Sequence, residues 1–219
     1  MKVKLISYSQ PVEGEKDVGE NIQDLVAYSA RVSNPANQAN HETSEKLLNY
    51  LAKHKHWSPF EMASACLEIT TTRDIARQIL RHRSFSFQEF SQRYAEQAEF
   101  TNFRDARMQD QKNRQNSIET DDADLKFEWL KQQSEVALVV RNAYSWALEN
   151  GIAKEQARAV LPEGITKSTM YMNGTLRSWM HYIELRSGVE TQKEHREIAI
   201  ECSKVLQKIF PLMKKITSS

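Results

Sequence analysis

Residues 73–94 read RDIARQILRHRSFSFQEFSQRY and concentrate five arginines (Arg73, Arg77, Arg81, Arg83, Arg93) and His82, with no lysine and only two acids, Asp74 and Glu89. Guanidinium forks grip phosphates and planar oxyanions through two bonds at once, which an ammonium cannot do. The chain as a whole is nearly neutral, with 30 basic and 29 acidic residues, so no global field draws it to nucleic acid or membrane. Any anion binding must therefore be local. Gln78, Glu89, Ser91 and Gln92 add donors and acceptors that could read more than charge. Three other segments carry more polar chemistry than a core needs: HWSPFE at 56–61, EQARAVLP at 155–162 and LRSWMHYIELR at 176–186. In the last, Arg177 and His181 are four apart, hence on one helix face, and Arg186 closes the segment.

The elements that must position these groups follow from periodicity. Residues 2–9 alternate as a short strand. Ile22, Leu25, Val26 and Ala30 recur at helical spacing, and Asn34-Pro35 ends that helix. A second helix carries Leu47, Leu48 and Leu51. Residues 63–72 alternate Ala65, Leu67 and Ile69 as a strand. Asp74 is placed to cap the next helix, on which Arg77 and Arg81 would share a face. Residues 105–124 are polar and aperiodic, a surface excursion or a lid. Leu125, Trp129, Val136, Val139, Ala143 and Trp146 mark a long helix whose apolar stripe is core or subunit interface, and Asn150-Gly151 ends it. A short helix over 154–161 stops at Pro162. Another runs from about 174 to 185, with Gly188 as its cap. Thr191 to Glu194 forms a capping box for a final helix burying Ile198, Cys202, Val205 and Ile209.

These features bound the class. At 219 residues, without an internal repeat or linker, residues 1–219 read as one α+β domain, mostly helical around a small antiparallel sheet. No segment has the ~20 apolar residues of a membrane helix, and residues 1–15 do not resemble a signal peptide. The expected location is cytoplasmic. Cys66 and Cys202 sit in apolar patterns and read as reduced core thiols. His54 and His56, two apart, do not share a helix face and have no third ligand, so no metal site is expected.

Arg81-His82-Arg83, seven residues and then Ser91 resembles the RHR-x7-S signature of flavin-dependent thymidylate synthases. The flanking landmarks follow in the family's order: ARVS at 30–33, SPFE at 58–61, Ala157-Arg158 with Leu161-Pro162, and the 176–186 segment. The resemblance spans roughly residues 33–186. It implies reductive methylation of dUMP to dTMP, with 5,10-methylenetetrahydrofolate as carbon donor and NADPH as electron source through FAD. It also implies a homotetramer whose sites are shared between subunits.

By matching positions, the resemblance assigns dUMP binding to Gln78, Arg81, Glu89, Ser91, Gln92, Arg93, Arg158 and Arg186. Arg186 would be catalytic, polarising the uracil and favouring ionisation at N3, because a nearby cation lowers the cost of developing negative charge. FAD lining falls to Ser33, His56, Ser58, Arg81, His82, Arg83, Glu89, Arg177 and His181. No glycine-rich dinucleotide loop is present, so arginines are the candidates for the FAD pyrophosphate. Ser91 could be nucleophile or substrate ligand; no adjacent base is evident, which favours the ligand role. The sequence departs from the family at Met62 (often histidine), Gln92 (commonly glycine) and His181 (frequently asparagine). Met62 could also be plain core.

Two other function classes fit part of this pattern. A nucleic-acid-binding module could stack bases on Phe85, Phe87, Phe90 and Tyr94, although near-zero net charge and the lack of a known motif oppose it. A flavoprotein could bind nucleotide yet run another reaction. The run Arg104, Arg107, Lys112 and Arg114 is a solvated face or an attractor for folate polyglutamate or the NADPH phosphate.

Overall fold

The computed structural model describes residues 1–96, 100 and 103–216. In chain order the elements are β1 (Lys2–Tyr8), α1 (Ile22–Ala30), α2 (Ser44–Lys53), β2 (Ser64–Thr72), α3 (Arg73–Ile79), β3 (Ser86–Glu89), β4 (Arg107–Gln109) and β5 (Ser117–Glu119). They continue with α4 (Ala123–Glu149), α5 (Lys154–Ala157), β6 (Lys167–Thr175), α6 (Leu176–Arg186), α7 (Lys193–Gln207) and α8 (Met213–Ile216). The main sheet has the order β1-β2-β6-β3 and every pairing is antiparallel.

Strands β2 and β6 pair over their whole length, from Ser64 opposite Thr175 to Thr72 opposite Lys167. Each runs straight into a helix, α3 and α6, at opposite ends of the ladder. Ala65, Leu67 and Ile69 of β2, with Met170 and Met172 of β6, face one core. That core is completed by Ile22 and Val26 of α1, Leu48 of α2, Trp179 and Ile183 of α6, and Ile198, Cys202 and Leu206 of α7. The alternation is the period-two pattern of a half-buried strand. The Trp179 indole donates to the Ala65 carbonyl (3.0 Å), locking α6 onto β2.

The arginine-rich loop between α3 and β3 is pinned by Phe85. Its ring packs edge-on to Trp179 and Tyr182, with centroids at 4.8 and 5.9 Å. A Cβ on Gly174 would fall 2.4 Å from that ring, so glycine is what admits Phe85 to the sheet. The anchor fixes where Arg81, His82 and Arg83 emerge.

Several expectations are corrected. Helix α3 starts directly after β2, with Thr72 in the N-cap position, and Arg73 N–H bonds the Thr166 carbonyl across the strand pair (2.9 Å). Asp74 instead accepts from Thr72 Oγ1 and from Arg104, both at 2.6 Å. Because α3 ends at Ile79, Arg77 and Arg81 do not share a helical face; Arg77 pairs with Glu163 at 3.2 Å. The capping box is not formed: Gln192 occupies the N-cap position of α7 without a side-chain cap bond, Thr191 Oγ1 points to the Leu185 carbonyl, and Glu194 is held by Arg107 and Gln192. Gly188 does not adopt a positive φ, whereas Gly151 does (76°). Only Lys154–Ala157 of the 154–161 helix is α-helical, with a 3-10 turn at Arg158–Val160. Residues 105–124 hold the β4–β5 hairpin. Val205 and Ile209 are only partly buried, and Cys66 lies half-buried on the less covered face of β2.

The long helix α4 departs most from a core reading. Trp129, Val136, Val139 and Trp146 of the stripe are exposed, while Gln133, Ala137, Tyr144 and Ala147 face the chain. Tyr144 and Ala147 pack on Ala157 in a small second cluster. So α4 is tethered near its C-terminal end and through Gln133, whose side chain both accepts from Arg104 N–H and donates to the Arg104 carbonyl.

Candidate active site

The site builds outward from the end of α3. His82 leaves the anchored loop half-buried, its ring edge-on to Tyr182 at 4.9 Å. Nε2 accepts a hydrogen bond from Arg186 Nε (2.9 Å). Burial and the cations of Arg186 and Arg81 push the His82 pKa down to about 4, so the ring is neutral near pH 7 and carries its proton on Nδ1. Arg186 spends only Nε on this bond; among the described residues its two terminal nitrogens are uncommitted. A neutral imidazole thus aims a guanidinium without cancelling its charge.

Gln78, the penultimate residue of α3, lies beside this pair. Its amide nitrogen donates to Gln192 Oε1 (2.8 Å), and its oxygen meets His195 Nδ1 at 3.3 Å. His195 is fully buried, and Nε2 meets the Tyr182 hydroxyl at 3.1 Å. Burial, then Arg186 and His82, hold the His195 pKa at about 3 against an ordinary 6.5. Between those values the unfolded chain binds a proton the folded chain refuses. Stability therefore falls as pH drops from about 6.5 toward 3, by up to about 1.4 kcal/mol per pH unit. From pH 7 to 5, the wild type should lose about 2 kcal/mol more than His195→Asn, measured by urea midpoints. Equal losses in both proteins would contradict the assignment.

A second group lies beyond β3. Glu89 accepts from Ser168 Oγ (2.7 Å) and faces Arg73 at 3.7 Å. Ser91 Oγ accepts from Arg93 N–H (3.4 Å), and Arg93 pairs with Glu155 at 3.4 Å. Arg158 Nε donates to the Glu155 carbonyl (3.2 Å), so Arg93 and Arg158 both meet one residue of α5. Gln92 is buried at 4% exposure with its amide nitrogen unpartnered.

The thymidylate synthase complementing protein profile matches residues 16–212, which include both groups and the intact RHR-x7-S spacing. The chain belongs to this family. It is 49% identical to the probable flavin-dependent thymidylate synthase of Paramecium bursaria Chlorella virus 1, over 98% of both chains. It is also 49% identical to the flavin-dependent thymidylate synthase of Synechocystis, over 96% of both. The fold is similar to that of the UMP/dUMP methylase PolB from Streptomyces cacaoi, solved with 5-Br dUMP, with a TM-score of 0.80 at 26% identity, covering 99% of this chain and 94% of PolB.

The remaining positions matched to the family's flavin contacts form a third group. Arg177 is held by Glu61, the last residue of SPFE, and the His181 ring stands edge-on to Trp57 at 4.9 Å. Ser33, His56 and Ser58 are exposed, as are Arg81 and Arg83, which join no ion pair among the described residues. Exposed, unpaired guanidinium groups fit a pyrophosphate; Arg177 fits it only if it also releases or shares Glu61. Met62 is 57% exposed, so it is not core. Arg81 N–H reaches the Gln78 carbonyl (3.4 Å) through the backbone alone; among the described residues no side-chain hydrogen bond or ion pair joins the three groups within one chain. Nor do any three His, Cys, Asp or Glu side chains there gather as metal ligands.

The sequence reading assigns no functional role to Tyr182, His195, Gln192 or Ser168. A histidine at 195, three and seven residues before Ile198 and Cys202 on the buried stripe of α7, is the one available signal. Of the basic run, Lys112 and Arg114 are exposed, but the solvated reading is corrected for Arg104 and Arg107. Arg104 and Arg107 line a cavity of about 330 Å³ with Thr72, Lys193 and Glu194, but Asp74 and Glu194 already neutralise them at 2.6 Å each.

Proposed function

We propose that the chain, as a single domain over residues 1–219, methylates dUMP to dTMP. Carbon would come from 5,10-methylenetetrahydrofolate and the hydride from FAD reduced by NADPH. The observation that carries this reading is Arg186 aimed by neutral His82 next to Gln78, within a chain of the thymidylate synthase complementing protein family.

Bound FAD supplies the hydride chemistry, as a cofactor does. This chain's residues bind and orient. Arg81, Arg93 and Arg158 offer forks for the nucleotide phosphate. Gln78 presents an amide whose orientation is fixed. Arg186 places positive charge where the uracil develops negative charge, so the ring ionises at lower cost. Arg81 and Arg83 suit the flavin pyrophosphate. The thiols take no part: burial pushes Cys66 and Cys202 up, away from the thiolate a nucleophile needs.

Ser91 fits a ligand role, since its hydroxyl accepts from a backbone N–H and no base stands against it among the described residues. Ser91→Ala should raise the KM for dUMP about tenfold and keep measurable turnover. Lost turnover at normal dUMP affinity would assign a nucleophile instead.

We further propose that the three groups are completed by neighbouring copies in a homotetramer. The support is the exposed apolar face of α4. The nucleic-acid reading loses its stacking platform, because Phe85 is buried and Phe87 and Phe90 are partly so; only Tyr94, 78% exposed, is presented. No helix among the described residues is long and apolar enough to cross a membrane, and we propose a cytoplasmic location. The test is dTMP formation from dUMP, methylenetetrahydrofolate, FAD and NADPH. Absence of dTMP with each substrate bound would favour a flavoprotein of another reaction.

A further inference from the structure

His195 occupies a costly position. It opens the buried stripe of α7 that continues with Ile198, Ala199, Cys202 and Leu206. An aliphatic side chain would satisfy packing there without desolvating two ring nitrogens. Yet both nitrogens are partnered, one by Tyr182 on α6 and one by Gln78 on α3.

The polarity of this chain of bonds is determined from one end. Glu194 is paired with Arg107 (2.6 Å) and is an acceptor only. Gln192 must therefore turn its NH2 toward Glu194 (2.9 Å) and its oxygen toward Gln78. Gln78 then turns its NH2 toward Gln192 (2.8 Å) and its oxygen toward His195 (3.3 Å). His195 must donate from Nδ1, leaving Nε2 to accept from the Tyr182 hydroxyl (3.1 Å). Burial keeps the ring neutral, so a single nitrogen carries the proton. A free amide can flip by 180° at little cost; this one cannot without breaking two bonds at once.

We propose that His195 and Gln192 are positioning residues that hold the Gln78 amide in a single orientation toward the substrate nucleotide. They touch no substrate themselves. The inference rests on Gln78 contacting dUMP, as proposed above. It adds that dUMP affinity is set partly by a histidine in the core and by a glutamine at the first turn of α7.

Paired substitutions test this. Asparagine places its amide nitrogen where Nδ1 lies, and glutamine places its own where Nε2 lies. His195→Asn keeps the donor to Gln78, while His195→Gln removes it and keeps a partner for Tyr182. The KM for dUMP should rise about tenfold in His195→Gln and remain within about twofold of wild type in His195→Asn. The kcat and the affinity for FAD should hardly change in either. Gln192→Leu, on the half-exposed turn, should raise the KM several-fold; if His195→Gln does not fold, Gln192→Leu decides by the same rule. Gln78→Ala separates the two levels. A raised KM in Gln78→Ala with wild-type values in His195→Gln and Gln192→Leu would overturn the positioning role alone. A wild-type KM in Gln78→Ala would remove the site assignment, and this inference with it.

Discussion

Arg186→Ala should reduce dTMP formation by on the order of 10³-fold while the thermal midpoint stays close to that of the wild type. Both halves follow from where Arg186 sits. It is the last residue of α6, half-buried, and its one described bond is to His82, so little of the core depends on it. Its charge, in contrast, is the one that His82 holds in place through Nε. Arg186→Lys should recover only part of the activity, because an ammonium keeps the charge but not the Nε–H that donates to His82 while two further nitrogens stay free. The variant carries a built-in control. The Arg186 cation helps hold His82 near pH 4, so its removal should raise the His82 titration seen by NMR. Full activity in Arg186→Ala would end the proposed uracil role.

A second large effect is expected far from the chemistry. Val139 and Trp146 are seven residues apart on one face of α4 and are 67% and 60% exposed. Phe127, Leu130 and Leu138 add to the exposed apolar surface of the same helix. So many large apolar side chains exposed on one helix mark an interaction site. Val139→Glu with Trp146→Glu should split the assembly and remove most activity, since a buried interface anchor is worth about 2 kcal/mol or more. The monomer's far-ultraviolet spectrum should not change, because neither side chain belongs to its core. Sedimentation and turnover measured on the same sample check this. A monomeric wild type, or a dissociated variant with full turnover, would show that one chain holds a complete site.

How much of this was legible beforehand depended on whether a signal was local. Strand β2 and helices α1, α2 and α4 carry clear periodicity, and the structure has them within a few residues of their expected ends. Strand β6 escapes the period-two signal because its buried positions include Ser168 and Gly174, and glycine is there to admit Phe85 rather than to turn the chain. The short β3 was hidden inside a motif whose polar side chains dominate its pattern. Capping at Asp74 and Thr191 failed because tertiary partners, Arg104 and Arg107, outcompeted local backbone donors for Asp74 and Glu194. Periodicity marks the α4 stripe as apolar but cannot say whether its partner is the same chain.

The candidate site divides along the same line. The signature residues were legible because their types and spacing are themselves the signal. Their arrangement was not. Nothing local links Arg186 to His82, more than a hundred positions apart, or places His195 behind Gln78. Those contacts come from α6 and α7 packing over the end of α3.

The central claim is replacement of the hydrogen at C5 of the uracil ring. It is tested by tritium release from dUMP labelled at that carbon, with methylenetetrahydrofolate, FAD and NADPH present and then with FAD or NADPH left out. Release that requires both is the expected result. Absence of release from folded protein that binds flavin and dUMP would contradict it.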